Sequence, residues 1–231
     1  MVLASNIIHP YFGMTLWEVL VESAVSLTLN EAGYVVEQSN TAINRAVDRG
    51  VIKAKLQRRG KIRLRKVGSA ELRFLALSGE VERKLTPAYR REVYQAIRRL
   101  STDAHRLEIG VMTFQLVDVD RRIAERLKRL HEIKTLVGEA ANAEPVLRGV
   151  NVPVYEIAAL TRGQTVAEIV EDYPGLTPAQ VDAAVEYAQI YPKAGRPLPA
   201  RSLKRMLADM ATTGVWDVEG DGEPIEPRQI P

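Results

Sequence analysis

A dense cluster of lysine and arginine follows the first 44 residues, which contain neither residue type. Ten basic side chains fall within residues 45–66, against the single acid Asp48: Arg45, Arg49, Lys53, Lys55, Arg58, Arg59, Lys61, Arg63, Arg65 and Lys66. Cations at this density repel one another unless an anionic partner neutralises them, and the phosphates of a nucleic acid are such a partner. The cluster predicts a polyanion-binding surface; the alternative is a hairpin whose charges are only solvated.

The spacing of the cations indicates the element that carries them. Residues 51–56 and 61–67 alternate apolar and basic side chains, as β-strands do, and Gly60 between them suits a tight turn. The pattern predicts a hairpin with one apolar face and one cationic face, the latter formed by Lys53, Lys55, Lys61, Arg63 and Arg65. Because like charges on neighbouring strands are unfavourable, such a face favours phosphate binding over a purely structural role.

Two short helices are predicted directly before the hairpin. Thr28 or Asn30 can cap the first, Ser39 caps the second over residues 40–49, and Gly50 suits the left-handed residue that follows a helix. Helix, helix and basic hairpin in this order predict a winged helix-turn-helix that binds duplex DNA. The expected DNA contacts are Asn40, Thr41, Asn44, Arg45, Arg49, Lys53, Lys55, Arg58, Arg59, Lys61 and Arg63.

The rest of the sequence predicts no catalytic site. The three histidines are far apart and lack the spacing of metal ligands, and there is no cysteine. Glu168, Glu171 and Asp172 share one predicted helix, whose N-terminal half attracts acids for electrostatic reasons alone. We therefore expect no enzymatic activity, no metal and no cofactor.

The composition is that of an ordinary globular protein, with 46% hydrophobic and 26% charged residues in a chain of 231. No uncharged apolar run approaches the ~20 residues that cross a bilayer. The first residues lack the positive region of a signal peptide. The expected location is therefore cytoplasmic, without a membrane partner.

The predicted fold class is α+β and mainly helical. The expected organisation is an N-terminal arm, a winged helix-turn-helix DNA-binding domain, a mixed α/β middle unit that can supply a dimer contact, a C-terminal three-helix helix-turn-helix bundle and an acidic tail. Their boundaries are 1–26, 27–78, 79–143, 144–210 and 211–231.

The middle unit is predicted to begin with a helix at Thr86-Pro87. A strand over 107–117, broken or bent at Gly110, and a long helix, capped by Asp118 or Asp120, follow. Apolar residues repeat at helical spacing along this long helix, and its other face is basic, which leaves RNA contact as an alternative. We expect at least a homodimer, through the apolar stripe or the N-terminal arm, because one small winged helix covers too little DNA.

The last folded unit has two capping boxes, Thr165 with Glu168 and Thr177 with Gln180. They predict two helices joined by a tight turn, after a short apolar helix over 153–160. Together these pieces predict the C-terminal three-helix bundle.

Several short motifs in this unit resemble a small domain family long labelled only as a domain of unknown function. The motifs are Arg148-Gly149-Val150-Asn151-Val152-Pro153-Val154, Gly163, Glu168-Ile169, Tyr173-Pro174-Gly175-Leu176-Thr177, and Val181 through Ala184 to Tyr187-Ala188. The family occurs in antitoxins of bacterial VapBC-like toxin–antitoxin pairs, and the whole chain resembles the larger mycobacterial VapB-type antitoxins. The N-terminal half is similar to MerR- or excisionase-like winged helices. The resemblance implies a repressor that also sequesters a PIN-domain ribonuclease toxin.

The acidic tail is the segment expected to bind that toxin. It is rich in Gly, Pro and acids, so it cannot form a core alone, yet it retains apolar anchors. The expected toxin contacts are Val215, Trp216, Asp217, Val218 and Ile225, although Trp216 could instead dock on this chain's own body. The predicted function is an antitoxin that binds operator DNA to autoregulate its operon and neutralises the toxin; the alternative is a free-standing transcription regulator without a toxin.

Overall fold

The computed structural model describes residues 25–60, 62–81, 85–101, 104–140, 144–193, 195 and 198–212. Within these ranges the protein is α+β and mainly helical, as predicted, with small antiparallel sheets. The chain divides into two compact units, unit 1 (Met1–Thr135) and unit 2 (Leu136–Pro231). Most of the predicted arm (1–24) and nearly all of the acidic tail (213–231) lie outside the described residues.

The first part of the chain alternates short strands and helices. The elements are β1 (Leu27–Thr28), α1 (Leu29–Val35), α2 (Asn40–Asp48), β2 (Lys55–Arg59), β3 (Ile62–Val67), α3 (Ser69–Val81), α4 (Pro87–Arg99), β4 (Arg106–Ile109), β5 (Met112–Gln115) and α5 (Val117–Leu136). β3 lies between β1 and β2 in an antiparallel sheet, with Leu27 opposite Val67 and Lys55 opposite Lys66. β4 and β5 form a separate hairpin.

Local capping signals predicted the ends of the early helices correctly. The Thr28 N–H donates to Glu31 Oε2 over 2.7 Å, and the Thr28 side chain accepts from the Glu31 N–H, so a capping box starts α1. The Ser39 hydroxyl accepts from the Ala42 N–H at the start of α2. Gly50, just past the end of α2, has φ +68°, the left-handed conformation expected there.

The middle of the chain contains two differences from the predicted elements. The predicted strand over 107–117 is interrupted at Gly110, as expected, but the interruption is a turn (φ +57°) that makes a hairpin and pairs Ile109 with Met112. The helix α5 begins at Val117, so neither Asp118 nor Asp120 caps it. Asp120 lies inside the first turn, and its carboxylate has another partner.

That partner is Arg73 on α3. The guanidinium donates to both carboxylate oxygens of Asp120, over 2.7 and 2.8 Å, and both side chains are buried. Phe74, also on α3, packs on Tyr94 of α4 with ring centroids 5.1 Å apart. Residues 79–135 therefore belong to the same compact unit as 27–78 and do not form a separate middle unit.

The apolar stripe of α5 faces the interior of unit 1. Its residues are almost completely buried: Ile123, Leu127, Leu130 and Ile133. The stripe is part of the core of the protomer, so the prediction that it supplies a dimer contact is wrong.

The basic face of α5 is largely engaged within the protein. Arg126 donates to the Tyr34 carbonyl over 3.0 Å and lies 3.9 Å from the centroid of the Tyr34 ring. The Lys134 ammonium is 2.5 Å from Glu31 Oε1. These contacts fix α1 against α5, which gives the basic face a structural role and weakens the RNA alternative.

Unit 2 combines a small sheet with four helices in its described residues. The elements are β6 (Val137–Glu139), β7 (Pro145–Leu147), β8 (Val152–Pro153), α6 (Val154–Leu160), α7 (Val166–Asp172), α8 (Pro178–Ile190) and α9 (Leu203–Thr212). Both predicted capping boxes are present, at Thr165 and Thr177. The core contains fully buried residues of the sheet and of α6, α7 and α8: Leu147, Val154, Ile157, Ile169 and Val181.

Candidate nucleic-acid interface

The register of the β2–β3 hairpin determines which cations share a face. Arg58 lies opposite Arg63, and Leu56 lies opposite Arg65, on one face of the hairpin. Lys55 is opposite Lys66 on the other face. The prediction of one uniformly cationic face is therefore wrong for the first strand. The sequence grouped Lys55 with Arg63 and Arg65, but the pairing places Lys55 on the face away from them.

An ion pair connects α2 to the hairpin face that carries Arg58, Arg63 and Arg65, which we call the arginine face. Arg65 Nη1 lies 2.5 Å from Asp48 Oδ1, so the single acid of the basic cluster bridges β3 to the last residue of α2. Arg58 and Arg63 share the face of Arg65. The arginine face of the hairpin and the end of α2 thus border one surface, which we call the α2–hairpin surface.

Most of the predicted contact residues in the described part of the chain are exposed to solvent. Those on or just after α2 are Thr41, Arg45 and Arg49, and those before and within the hairpin are Lys53, Lys55, Arg58 and Arg63. Asn40 and Asn44 are half-buried, and the Asn44 amide donates to the Asn40 carbonyl over 2.8 Å. Lys61 and the side chain of Arg59 lie outside the described residues.

Two residues that the sequence did not single out hold both ends of the hairpin. The Lys53 N–H donates to Tyr94 Oη over 3.0 Å, and that hydroxyl donates to Glu71 Oε1 over 2.8 Å. The other carboxylate oxygen of Glu71 accepts from the Gly68 N–H over 3.0 Å, directly after β3. We call this arrangement the Glu71–Tyr94 clamp.

The environment of Tyr94 keeps its hydroxyl protonated. Burial and the hydrogen bond to Glu71 raise the pKa of Tyr94 to about 12, so the phenol remains a donor at neutral pH. The sequence gives no signal for the role of its hydroxyl, because its partners are 23 and 41 residues away.

Removing the Tyr94 hydroxyl tests the clamp. We expect Tyr94→Phe to lower the free energy of unfolding by about 1–3 kcal/mol, because Glu71 and the Lys53 N–H lose a partner while the ring still packs on Phe74. Amide hydrogen exchange within residues 53–67 should accelerate. Tyr89→Phe is the matched control, since it removes one hydroxyl bond, to the Ile109 carbonyl, away from the hairpin. Equal exchange rates in the two variants would exclude a clamp.

The carboxylates of α7 form a structural cluster. Asp172 Oδ2 accepts from Ser202 Oγ, Gln164 Nε2 and Arg205 Nε, over 2.6–2.9 Å. Although burial opposes ionisation, these bonds hold the pKa of Asp172 at about 2. Arg205 also pairs with Glu168 and Glu171. The cluster fixes the segment around α9 to α7, and no group of three metal-ligating side chains occurs among the described residues.

The predicted second helix-turn-helix, α7 with α8, lacks the cations of the predicted first one. The sequence of α8 has no lysine or arginine, and Asp182 on it is exposed. Phosphate contact requires positive charge. Of the two predicted helix-turn-helix segments, the one in unit 1 is thus the better candidate for nucleic-acid binding.

Comparison with known proteins places a family match in unit 2. Residues 139–188 match the family described as "Protein of unknown function (DUF433)". This range contains all the motifs on which the resemblance to a domain of unknown function rests, and the family's description leaves its function open.

A stretch of 89 residues is 35% identical to "Uncharacterized protein y4eO" of Sinorhizobium fredii (strain NBRC 101917 / NGR234). It covers 37% of this chain and 40% of that protein, so the chain spans less than half the length of this relative. No solved structure is significantly similar to the chain. In the described residues, no helix has the length and apolar character needed to span a membrane.

Proposed function

We propose that residues 27–67 form a winged helix-turn-helix that binds duplex DNA. The observation that carries the proposal is the α2–hairpin surface, where exposed cations of α2 and of one hairpin face meet at the Arg65–Asp48 pair. The element order supports it, since β1 pairs with β3, and α1 and α2 precede the hairpin. In such folds the second helix enters the major groove, and the hairpin contacts the backbone.

The exposed side chains differ in the contacts that they can make. Thr41 and Arg45 lie in the N-terminal half and middle of α2, where a recognition helix meets base edges, and Asn44 lies beside them. Arg49 after α2, with Arg58 and Arg63 on the hairpin, would contact phosphates. The first group would set sequence preference, and the second would supply affinity that depends on salt.

The salt dependence of binding tests this proposal. A labelled duplex from the region upstream of the gene is titrated with the protein between about 50 and 200 mM salt, and each phosphate contact should add roughly 0.9 to the slope of log affinity against log salt. An RNA duplex of the same length is the control and should bind more weakly, because side chains cannot read its deep, narrow major groove. Failure to bind DNA at the lowest salt would exclude the function.

We further propose that the protein is an autoregulatory antitoxin that neutralises a PIN-domain ribonuclease. The support is the family match in unit 2, the region whose motifs resemble an antitoxin domain, together with an α8 suited to protein rather than phosphate contact. The proposed toxin contacts remain Val215, Trp216, Asp217, Val218 and Ile225, all outside the described residues. A homodimer on two operator half-sites fits this role. A homodimer also fits the alternative function, a transcription regulator without a toxin.

A truncation separates these two possibilities. We expect deletion of residues 213–231, which leaves α9 intact, to abolish neutralisation of a nuclease encoded beside this gene, while the DNA affinity measured by gel shift stays unchanged. Co-expression growth assays report the neutralisation. If the truncated chain still rescues growth, the toxin contact lies elsewhere, within residues 144–212. If no neighbouring protein co-purifies with the full chain, the regulator is the better description.

A further inference from the structure

Strand β5 is an edge strand that carries no charge. Among the described residues, β4 is the only strand that pairs with it. No charged residue and no proline occurs from Ile109 to Val117, although 26% of the chain is charged. Thr113 and Gln115 on β5 are exposed to solvent. Proteins usually protect a strand edge with charges or prolines, because its backbone groups can pair with another strand. An exposed edge without this protection indicates a pairing site.

The hydrogen bonds of the β4–β5 hairpin show which backbone groups of β5 point outward. The Leu116 N–H, next to the strand, donates to the His105 carbonyl over 2.8 Å, so these two residues form a hydrogen-bonded pair. Hydrogen-bonded and non-hydrogen-bonded pairs alternate along an antiparallel ladder. In the observed register, the N–H and C=O groups of Thr113 and Gln115 therefore point away from β4. They form the outer edge of the hairpin.

We propose that β5 pairs with β5 of a second copy of the chain, antiparallel about a two-fold axis at Phe114. In this register Thr113 of each copy lies opposite Gln115 of the other, so every outward backbone group of β5 gains a partner. An axis at Thr113 would instead place Gln115 opposite Val111, which lies in the turn of the hairpin. The contact is isologous, as in most homodimers.

Charge and apolar exposure favour a second copy as the occupant of this edge. The two charged residues of β4 pair with each other, with Arg106 Nε 3.2 Å from Glu108 Oε1, so no net charge opposes the approach of an identical hairpin. The register also brings Val111, which is fully exposed, next to Val117 of the second copy, which is 53% exposed. Both side chains would lose contact with water in the dimer, which stabilises it.

The inference rests on the homodimer of the proposed function and names its contact, which the apolar stripe of α5 does not supply. A single strand pair lies at the small end of specific interfaces, so the dimer would be weak in free solution. Two neighbouring half-sites on one duplex would raise the effective concentration of the two copies. A native chain that is monomeric yet binds DNA contradicts this inference alone. A dimer through β5 that does not bind DNA contradicts the proposed function alone.

Charges placed across the proposed strand pair test it. Thr113→Lys with Gln115→Lys puts lysines opposite each other in the dimer, and Thr113→Glu with Gln115→Glu puts glutamates there. Sedimentation equilibrium of the full native chain at about 50 μM should give the mass of two chains, if the dissociation constant is in the micromolar range. Each double variant should give the mass of one chain, because like charges on opposing residues destabilise a strand pair. An equimolar mixture of the two variants should recover the mass of two chains.

A third variant at the same positions is the matched control. Thr113→Lys with Gln115→Glu places a lysine opposite a glutamate of the second copy, so this variant should remain a dimer by itself. A monomeric native chain would overturn the proposal. A dimer that survives both like-charge variants would also overturn it, and would assign the contact to another surface, such as the N-terminal arm. A mixture or a control that stays monomeric contradicts it as well. Misfolded variants cannot recover a dimer on mixing, so recovery reports the contact itself.

Discussion

Replacing Arg58 and Arg63 together with alanine should lower the affinity for duplex DNA roughly 60-fold at about 0.1 M salt. The estimate follows from two lost phosphate contacts, each worth roughly 0.9 decades of affinity at this salt concentration. The two arginines lie directly opposite each other on the hairpin face that also carries Arg65. The loss should be similar for all DNA sequences, because phosphates carry no sequence information. Fluorescence anisotropy at several salt concentrations should show the slope fall by about 2.

The hairpin provides a control of equal charge. Lys55 and Lys66 also lie opposite each other, but on the other face, so the register separates Lys55, an expected DNA contact, from Arg58 and Arg63. Replacing both with alanine removes the same two positive charges, and we expect the slope to change little. Equal losses in the two double variants would indicate diffuse attraction without a defined face. An unchanged affinity after the arginine substitutions would show that the hairpin is not the interface.

The contrast between these two cation pairs shows what the sequence could and could not predict. Composition alone located the basic cluster, and alternation correctly indicated a hairpin. The prediction of which residues of the first strand share a face with Arg63 and Arg65 was wrong, because that depends on the register between the two strands. β2 begins at Lys55. Two residues earlier, the Lys53 N–H donates a hydrogen bond to Tyr94, 41 residues away in the sequence. A contact between such distant residues leaves no local pattern.

The same distinction holds for the helices. Thr28, Ser39, Thr165 and Thr177 were recognised as caps because a cap and its partner are two or three residues apart. Asp120 looked like a cap for the same reason, yet its partner is 47 residues away. The apolar stripe of α5 was visible, but an amphipathic pattern does not say whether the chain itself or a second copy covers it.

The buried pair of Arg73 with Asp120 should have the largest effect on stability. We expect Asp120→Ala to lower the free energy of unfolding by about 3–5 kcal/mol, because it leaves a buried guanidinium without its carboxylate. Burial raises the pKa of Asp120 and Arg73 opposes the shift, so the carboxylate is expensive to bury and depends on its partner. Urea unfolding followed by circular dichroism measures the change.

Two comparisons show whether the charge or the packing matters. Arg121→Ala removes an exposed arginine of the same helix that pairs with Asp118 and Glu125, and it should change the free energy of unfolding far less than Asp120→Ala does, because solvent screens exposed ion pairs. Arg73→Met with Asp120→Leu removes both buried charges, and it should recover most of the lost stability. If the double variant is as unstable as Asp120→Ala, lost packing rather than an unpaired charge explains the effect.

The buried pair also bears on the α2–hairpin surface. Arg73 lies two residues from Glu71 on α3, so the helix that Asp120 fixes is the one that carries half of the Glu71–Tyr94 clamp. A loosened α3 would release both ends of the hairpin at once. We therefore expect Asp120→Ala to accelerate amide exchange within residues 53–67 even below the temperature at which unit 1 unfolds, whereas Arg121→Ala should not. Unchanged exchange in Asp120→Ala would mean that the clamp holds the hairpin without support from α5.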